Sequence, residues 1–256
     1  MILHHVEYPS RGEDTGVPVV FLGSIASTTN MWLPQLDALS ANHRVIALDH
    51  PGHGRSGKPD LPAGEATVSD LADNVLKTLT HLGVQEFAVV GLSMGGAIAQ
   101  YLAATSSRVT RAAFLCTATA FGGKEKWAER AQLTRAKGTE AMADAVVSLW
   151  LSEDYATTHP ATRDWYRSMI RRTSGEGYAH GADALGCWDF ASRLHRITCP
   201  VLTLAGADDK STPPEVVHAI AEKVSGPATT VTVPGGHVPT LESADAVNEA
   251  LAEFLA

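Results

Sequence analysis

Three short stretches of the chain hold residue types that could do covalent chemistry together. Gly91-Leu92-Ser93-Met94-Gly95 places a serine between glycines at G-x-S-x-G spacing. An apolar run precedes it and a small-residue helical pattern comes after it. In that strand–turn–helix setting a sharp turn lifts a serine hydroxyl above a sheet. A hydroxyl is a weak nucleophile near neutral pH, so it needs a base, and the base needs an orienting acid. "GADDKSTPP" supplies Asp208 and Asp209, and "PGGHVPTLE" supplies His237. The chemistry implied is acyl transfer, with Ser93 attacking a carbonyl and His237 moving the proton. The plainer reading of Ser93, a helix N-cap, accounts for neither downstream loop. Composition does not separate the two adjacent aspartates.

These residues need strands to carry them. β-Branched runs at 17–22, 44–48, 87–90, 112–116, 201–205 and 229–233 alternate with helical patterns at 32–39, 68–82, 95–104, 214–223 and 244–254. Such alternation argues for an α/β fold with a mostly parallel central sheet flanked by helices. Ligand chemistry in open sheets of this kind gathers beyond the carboxyl ends of the strands, where Ser93, the aspartates and His237 all fall. Gly83 is the expected cap of the second helix. From about Gly122 to Arg196 the alternation stops, and the segment is rich in helix formers. The expected organisation is therefore a core of residues 1–121 and 197–256 with a helical cap inserted at 122–196.

The chain has 256 residues and a formal net charge of -8, which disfavours nucleic acid or an anionic membrane as partner. "MILHHVEYPS" has no secretory pattern, and no window is apolar enough for a membrane span. The expected location is cytoplasmic, and the three cysteines are read as buried small hydrophobes. Gly52-His53-Gly54-Arg55-Ser56-Gly57 matches a dinucleotide fingerprint after a strand, but Pro59 and Pro62 prevent the helix that would hold a phosphate. His50 and His53 lack the further ligands of a metal cluster, and Trp32 reads as core. No cofactor and no metal is expected; the expected partner is a small molecule, and the oligomeric state is left open.

The order Ser…Asp…His, with the loops around it, resembles the α/β-hydrolase family over the whole chain. Gly206-x-x-Asp209 ahead of Thr212-Pro213 is similar to that family's acid loop, which implies Asp209 as the acid. The resemblance also implies an oxyanion hole from the backbone N–H groups of Met94 and Ile25, although Gly23-Ser24 stands where many relatives have His-Gly. "DHPGHGRSGKP" resembles a structural loop of the family. The first loop, "GLSMGGAIAQYLA", "CTATAFGGKEKWAERAQLTRAKGTEAMADAV" and "GEGYAHGADAL" together are similar to the 3-oxoadipate enol-lactonases, which act in the degradation of aromatic compounds. That likeness implies a carboxylated lactone as substrate, Arg130 as its carboxylate partner and Trp127 as a pocket wall. A surface-facing Arg130 is the competing reading. Rival activities on the same triad are C–C bond hydrolysis beside a ketone, simple ester hydrolysis and perhydrolysis. A hydrolase-fold ligand receptor is the alternative from another class.

Overall fold

The computed structural model describes residues 1–12 and 16–256. Strands β1 (His5–Tyr8), β2 (Val19–Leu22), β3 (Val45–Leu48), β4 (Phe87–Leu92), β5 (Val109–Leu115), β6 (Val201–Gly206) and β7 (Ala228–Val233) form one sheet. Their spatial order is β1-β3-β2-β4-β5-β6-β7; β1 runs antiparallel to β3, and every other neighbouring pair is parallel. β2, β3, β4 and β6 are buried throughout, so they read as unbroken apolar runs rather than as alternating strands. β1 escaped the sequence reading for the opposite reason. It is a half-exposed edge strand, "HVEY", with no apolar run to announce it.

Helices α1 (Leu33–Leu39), α2 (Val68–His81) and α3 (Met94–Thr105) accompany the first half of the sheet. α2 starts at a capping box in which Thr67 and Asp70 satisfy each other's backbone N–H, and it ends at Gly83, whose φ is +71°. Between β5 and β6 come only helices: α4 (Lys124–Lys137), α5 (Ala143–Trp150), α6 (Glu153–Thr158), α7 (Pro160–Arg172) and α8 (Gly175–Gly186), with short 3₁₀ turns. A single bridge, Ala120 to Asp189, closes this segment at its base. α9 (Pro214–Ala221), α10 (Pro239–Glu242) and α11 (Ala244–Leu255) complete the chain.

The strand order creates the site. β2 lies between β3 and β4, so the chain leaves β2 toward one edge and returns to β4 on the other side. Such a reversal leaves a crevice beyond the carboxyl ends of the two strands. With Leu22 paired to Gly91, the loop after β2 and the turn after β4 emerge side by side.

The cysteines depart from expectation. Cys116 is buried as expected, but Cys187 is exposed and Cys199 only partly buried; all three are free thiols. Cys187 lies just beyond α8, past the packed part of that helix. The 52–57 glycine loop opens no helix; the next one begins at Val68.

Candidate active site

Ser93 sits at the tip of the β4–α3 turn with φ 58° and ψ -115°, a strained conformation for a residue with a Cβ. It occupies the N-cap position of α3, yet its side chain makes no capping hydrogen bond. The backbone is instead held from the neighbouring strand: Ser93 N–H donates to Leu115 O at 2.9 Å, and Thr117 Oγ1 donates to Ser93 O at 2.8 Å. The flanking glycines are a matter of space. A Cβ on Gly91 would strike the Gly95 carbonyl, and one on Gly95 would strike the Leu22 carbonyl.

Asp209 and His237 meet across the β6 and β7 loops, with His237 Nδ1 2.8 Å from Asp209 Oδ2. Both side chains are buried. Asp209 also accepts from Ser211 N–H at 2.7 Å, Thr212 N–H at 3.0 Å and Thr212 Oγ1 at 2.7 Å. Burial alone would raise this carboxyl, but the facing imidazole and the Thr212 bonds outweigh it and hold Asp209 below its usual range. Asp208 is exposed, and its N–H is tied to Gly235 O. The adjacent aspartates that composition left equal are thus distinguished by burial and partner.

Ser93 and His237 line one cavity of about 340 Å³, and no hydrogen bond joins Ser93 Oγ to the imidazole in this geometry. Such contacts often tighten only when substrate arrives. Ile25 lines the same cavity; Met94 is wholly buried behind it. Neither the Ile25 nor the Met94 N–H donates to another described residue, which leaves two backbone donors at the β2–β4 crevice. The loop carrying Ile25 is tied down at Gly23 O, which accepts from Gly95 N–H at 3.1 Å and His50 Nε2 at 2.8 Å. Ser24 O receives Ser27 N–H and Oγ, closing a tight turn in which Ala26 has φ +66°.

The far wall comes from the inserted helices. Trp127 and Arg130 of α4 and Tyr178 of α8 line the cavity. The Arg130 guanidinium lies 5.0 Å from the Trp127 ring centre and pairs with no carboxylate among the described residues, while Trp127 Nε1 donates to Phe121 O at 2.7 Å. Three cations, Lys126, Arg130 and Lys210, line the cavity, and among the described residues no aspartate or glutamate does. The sequence reading found Ser93, Asp209, His237, Ile25, Met94, Trp127 and Arg130, and the fold brings all seven to this region. It missed Lys126, Lys210 and two buried hydroxyls without partners, Ser24 Oγ and Tyr178 Oη. No spacing rule marks those four: Lys126 and Tyr178 reach the cavity on the inserted helices, and Ser24 and Lys210 on the loops after β2 and β6.

His50 and His53 hold structure. His50 Nε2 serves Gly23 O, and His53 Nδ1 donates to Pro51 O at 3.0 Å. Burial drives both pKa values down, that of His53 to about 3. Asp49 closes the loop, accepting from Thr29 N–H at 2.7 Å and Arg55 N–H at 2.9 Å and facing His4 Nδ1 at 2.8 Å. Trp32 is fully buried against Phe21. Among the described residues no group of three or more His, Cys, Asp or Glu side chains could hold a metal, and no helix is long and apolar enough to cross a membrane.

A family model for the alpha/beta hydrolase fold matches residues 17–244. The chain belongs to the α/β-hydrolase fold family. Among relatives, this hydrolase is 28% identical to 3-oxoadipate enol-lactonase 2 of Acinetobacter baylyi over 247 residues, 96% of this chain and 91% of that one. The crystal structure of the enol-lactonase from Burkholderia xenovorans LB400 superposes with a TM-score of 0.93 at 32% identity, covering 99% of this chain and 96% of that one. A malate-bound thermophilic esterase from Thermogutta terrifontis superposes at 0.91 with 28% identity, covering 99% and 92%.

Proposed function

We propose that this α/β-hydrolase opens a carboxylated enol-lactone, of the 3-oxoadipate enol-lactone type, through an acyl-enzyme. The observation that carries the reading is the composition of one cavity: a strained serine, a histidine backed by a buried carboxylate, and three cations with no opposing acid among the described residues. The enol-lactonase relatives, similar over nearly the whole chain, support the same substrate class.

In this mechanism Ser93 Oγ attacks the lactone carbonyl as His237 Nε2 takes its proton. Asp209, ionised and hydrogen-bonded at Nδ1, holds the ring with Nε2 facing the cavity and stabilises the imidazolium. The Ile25 and Met94 N–H groups receive the oxyanion, a contribution of about 2.7–4 kcal/mol for each donor. His237 then protonates the departing enol oxygen, and the enol tautomerises to a ketone, which makes ring opening hard to reverse. Water deprotonated by His237 attacks the acyl-enzyme and releases Ser93. Residues 122–196 act as a cap over the 1–121 and 197–256 core. Trp127 walls the pocket and Arg130 receives the carboxylate, for which a guanidinium fork is well shaped. The steps use only groups of the protein and water, in a small-molecule enzyme placed in the cytoplasm. Simple carboxylic ester hydrolysis is the second reading, supported by the esterase neighbour.

Comparing kcat/KM for enol-lactone, an aryl ester and a vinylogous diketone tests the proposal. A clear preference for enol-lactone is expected, and equal or better turnover of the aryl ester would give the second reading. Ser93→Ala should lower turnover of every substrate by roughly 10⁴-fold or more. Persistent turnover would remove Ser93 from the mechanism.

A further inference from the structure

Tyr178 is a fully buried phenol whose Oη has no hydrogen-bond partner among the described residues. Buried hydroxyls are nearly always paired, so an orphan facing a cavity needs an account. This one faces the cavity that holds Ser93 and His237 and stands beside Arg130, although out of hydrogen-bonding geometry with it.

Its position is fixed by the docking of α8. On that helix Gly177 and Gly181 are one turn apart and press against the core. A Cβ on Gly177 would strike the Gly52 carbonyl, and one on Gly181 would lie 2.9 Å from Met94 Sδ and 3.1 Å from Ile25 Cδ1. α8 therefore rests directly on the two residues offered as oxyanion donors. Arg135 ties α8 to α4 through Glu176 at 3.1 Å and Asp183 at 2.6 Å, so the helix carrying Tyr178 is tied to the helix carrying Arg130. Burial pushes the phenol pKa up, partly offset by the Arg130 charge, and the group stays protonated as a donor. The Arg130 guanidinium lies over the Trp127 ring and has no acid among the described residues to satisfy its edge.

We propose that Tyr178 Oη is the neutral arm of a carboxylate clamp whose charged arm is Arg130, and that this pair selects acyl substrates ending in a carboxylate. The clamp rests on the acyl-hydrolase reading above but adds a specificity-determining residue to it. A protonated phenol and a guanidinium both donate, a carboxylate accepts from both, and an uncharged chain end would leave the phenol unpaired.

The test compares mono-4-nitrophenyl succinate with 4-nitrophenyl butyrate, reading the ratio of their kcat/KM values. The protein should prefer the succinate half-ester. Tyr178→Phe should lower that ratio about tenfold, chiefly through KM, and Arg130→Ala should lower it further. A structural role alone would reduce both esters in step and leave the ratio unchanged, which would overturn the clamp. Butyrate turnover without preference for succinate would sink the clamp and leave the hydrolase standing. Calorimetric titration of monomethyl succinate into the Ser93→Ala protein reads binding without catalysis. Adding Tyr178→Phe should weaken it about tenfold. Equal affinities, or no binding by either protein, count against the proposal even if neither nitrophenyl ester is turned over.

Discussion

In the proposed reaction, Arg130 is where substrate choice is most open to a single substitution. Its guanidinium is half-buried, lies over the Trp127 ring and meets no acid among the described residues. A hydrogen bond to a charged group contributes about 1.5–3 kcal/mol, so Arg130→Ala should cut kcat/KM for carboxylated substrates by roughly 10- to 100-fold. Neutral esters should lose far less, and equal losses in a steady-state comparison would return Arg130 to a surface role. The residue-level site was partly legible because catalytic chemistry leaves sequence marks. Glycines must flank Ser93, and His237 and the aspartates must come after strands. Asp209 was separable from Asp208 only through likeness to a family, because burial and partner decide between them and neither shows in composition. Ser24, Lys126, Tyr178 and Lys210 left no mark. What brings them together is the meeting of α4 and α8 with the loops after β2 and β6, a long-range packing outcome.

At the scale of elements, the β2–β4 crevice depends on a loop clamped from two sides. Gly23 O receives one bond from the Gly95 N–H of α3 and one from His50 in the loop after β3. His50→Leu removes the second donor and should lower kcat about tenfold on any ester with little change in KM, while His50→Gln should recover most of it. If KM rises instead, His50 acts through the pocket wall. The buried parallel strands were legible because they are continuous apolar runs, and Gly83 marked the end of α2. β1 was not, since an edge strand exposed on one side needs no apolar signature. The inserted helices were legible only as a gap in the alternation. Their boundaries depend on turns such as the 3₁₀ segment Thr139–Met142, where helical composition continues unbroken.

Across the whole molecule, several histidines are buried neutral. His50, His53 and His180 have pKa values lowered by burial, that of His53 to about 3, and His180 of α8 lies close to His53. The unfolded chain binds protons at these sites near 6.5 while the folded chain does not. Their stabilisation is therefore complete above about pH 6.5 and is lost as pH falls below it, for His53 as pH falls toward 3. Denaturant midpoints should drop steeply between pH 6.5 and 4, and His53→Gln should flatten that slope; an unchanged slope would place the acid sensitivity elsewhere. In the proposed reaction the cation-lined cavity also governs how readily product leaves. Hydrolysis of a lactone or ester creates a carboxylate, so the product departs with one more negative charge than the substrate brought. Lys126, Arg130 and Lys210 then attract the product more strongly than the molecule it came from. Turnover should slow as product accumulates, by competition for the cavity, and added salt should relieve that drag by screening the charges that cause it.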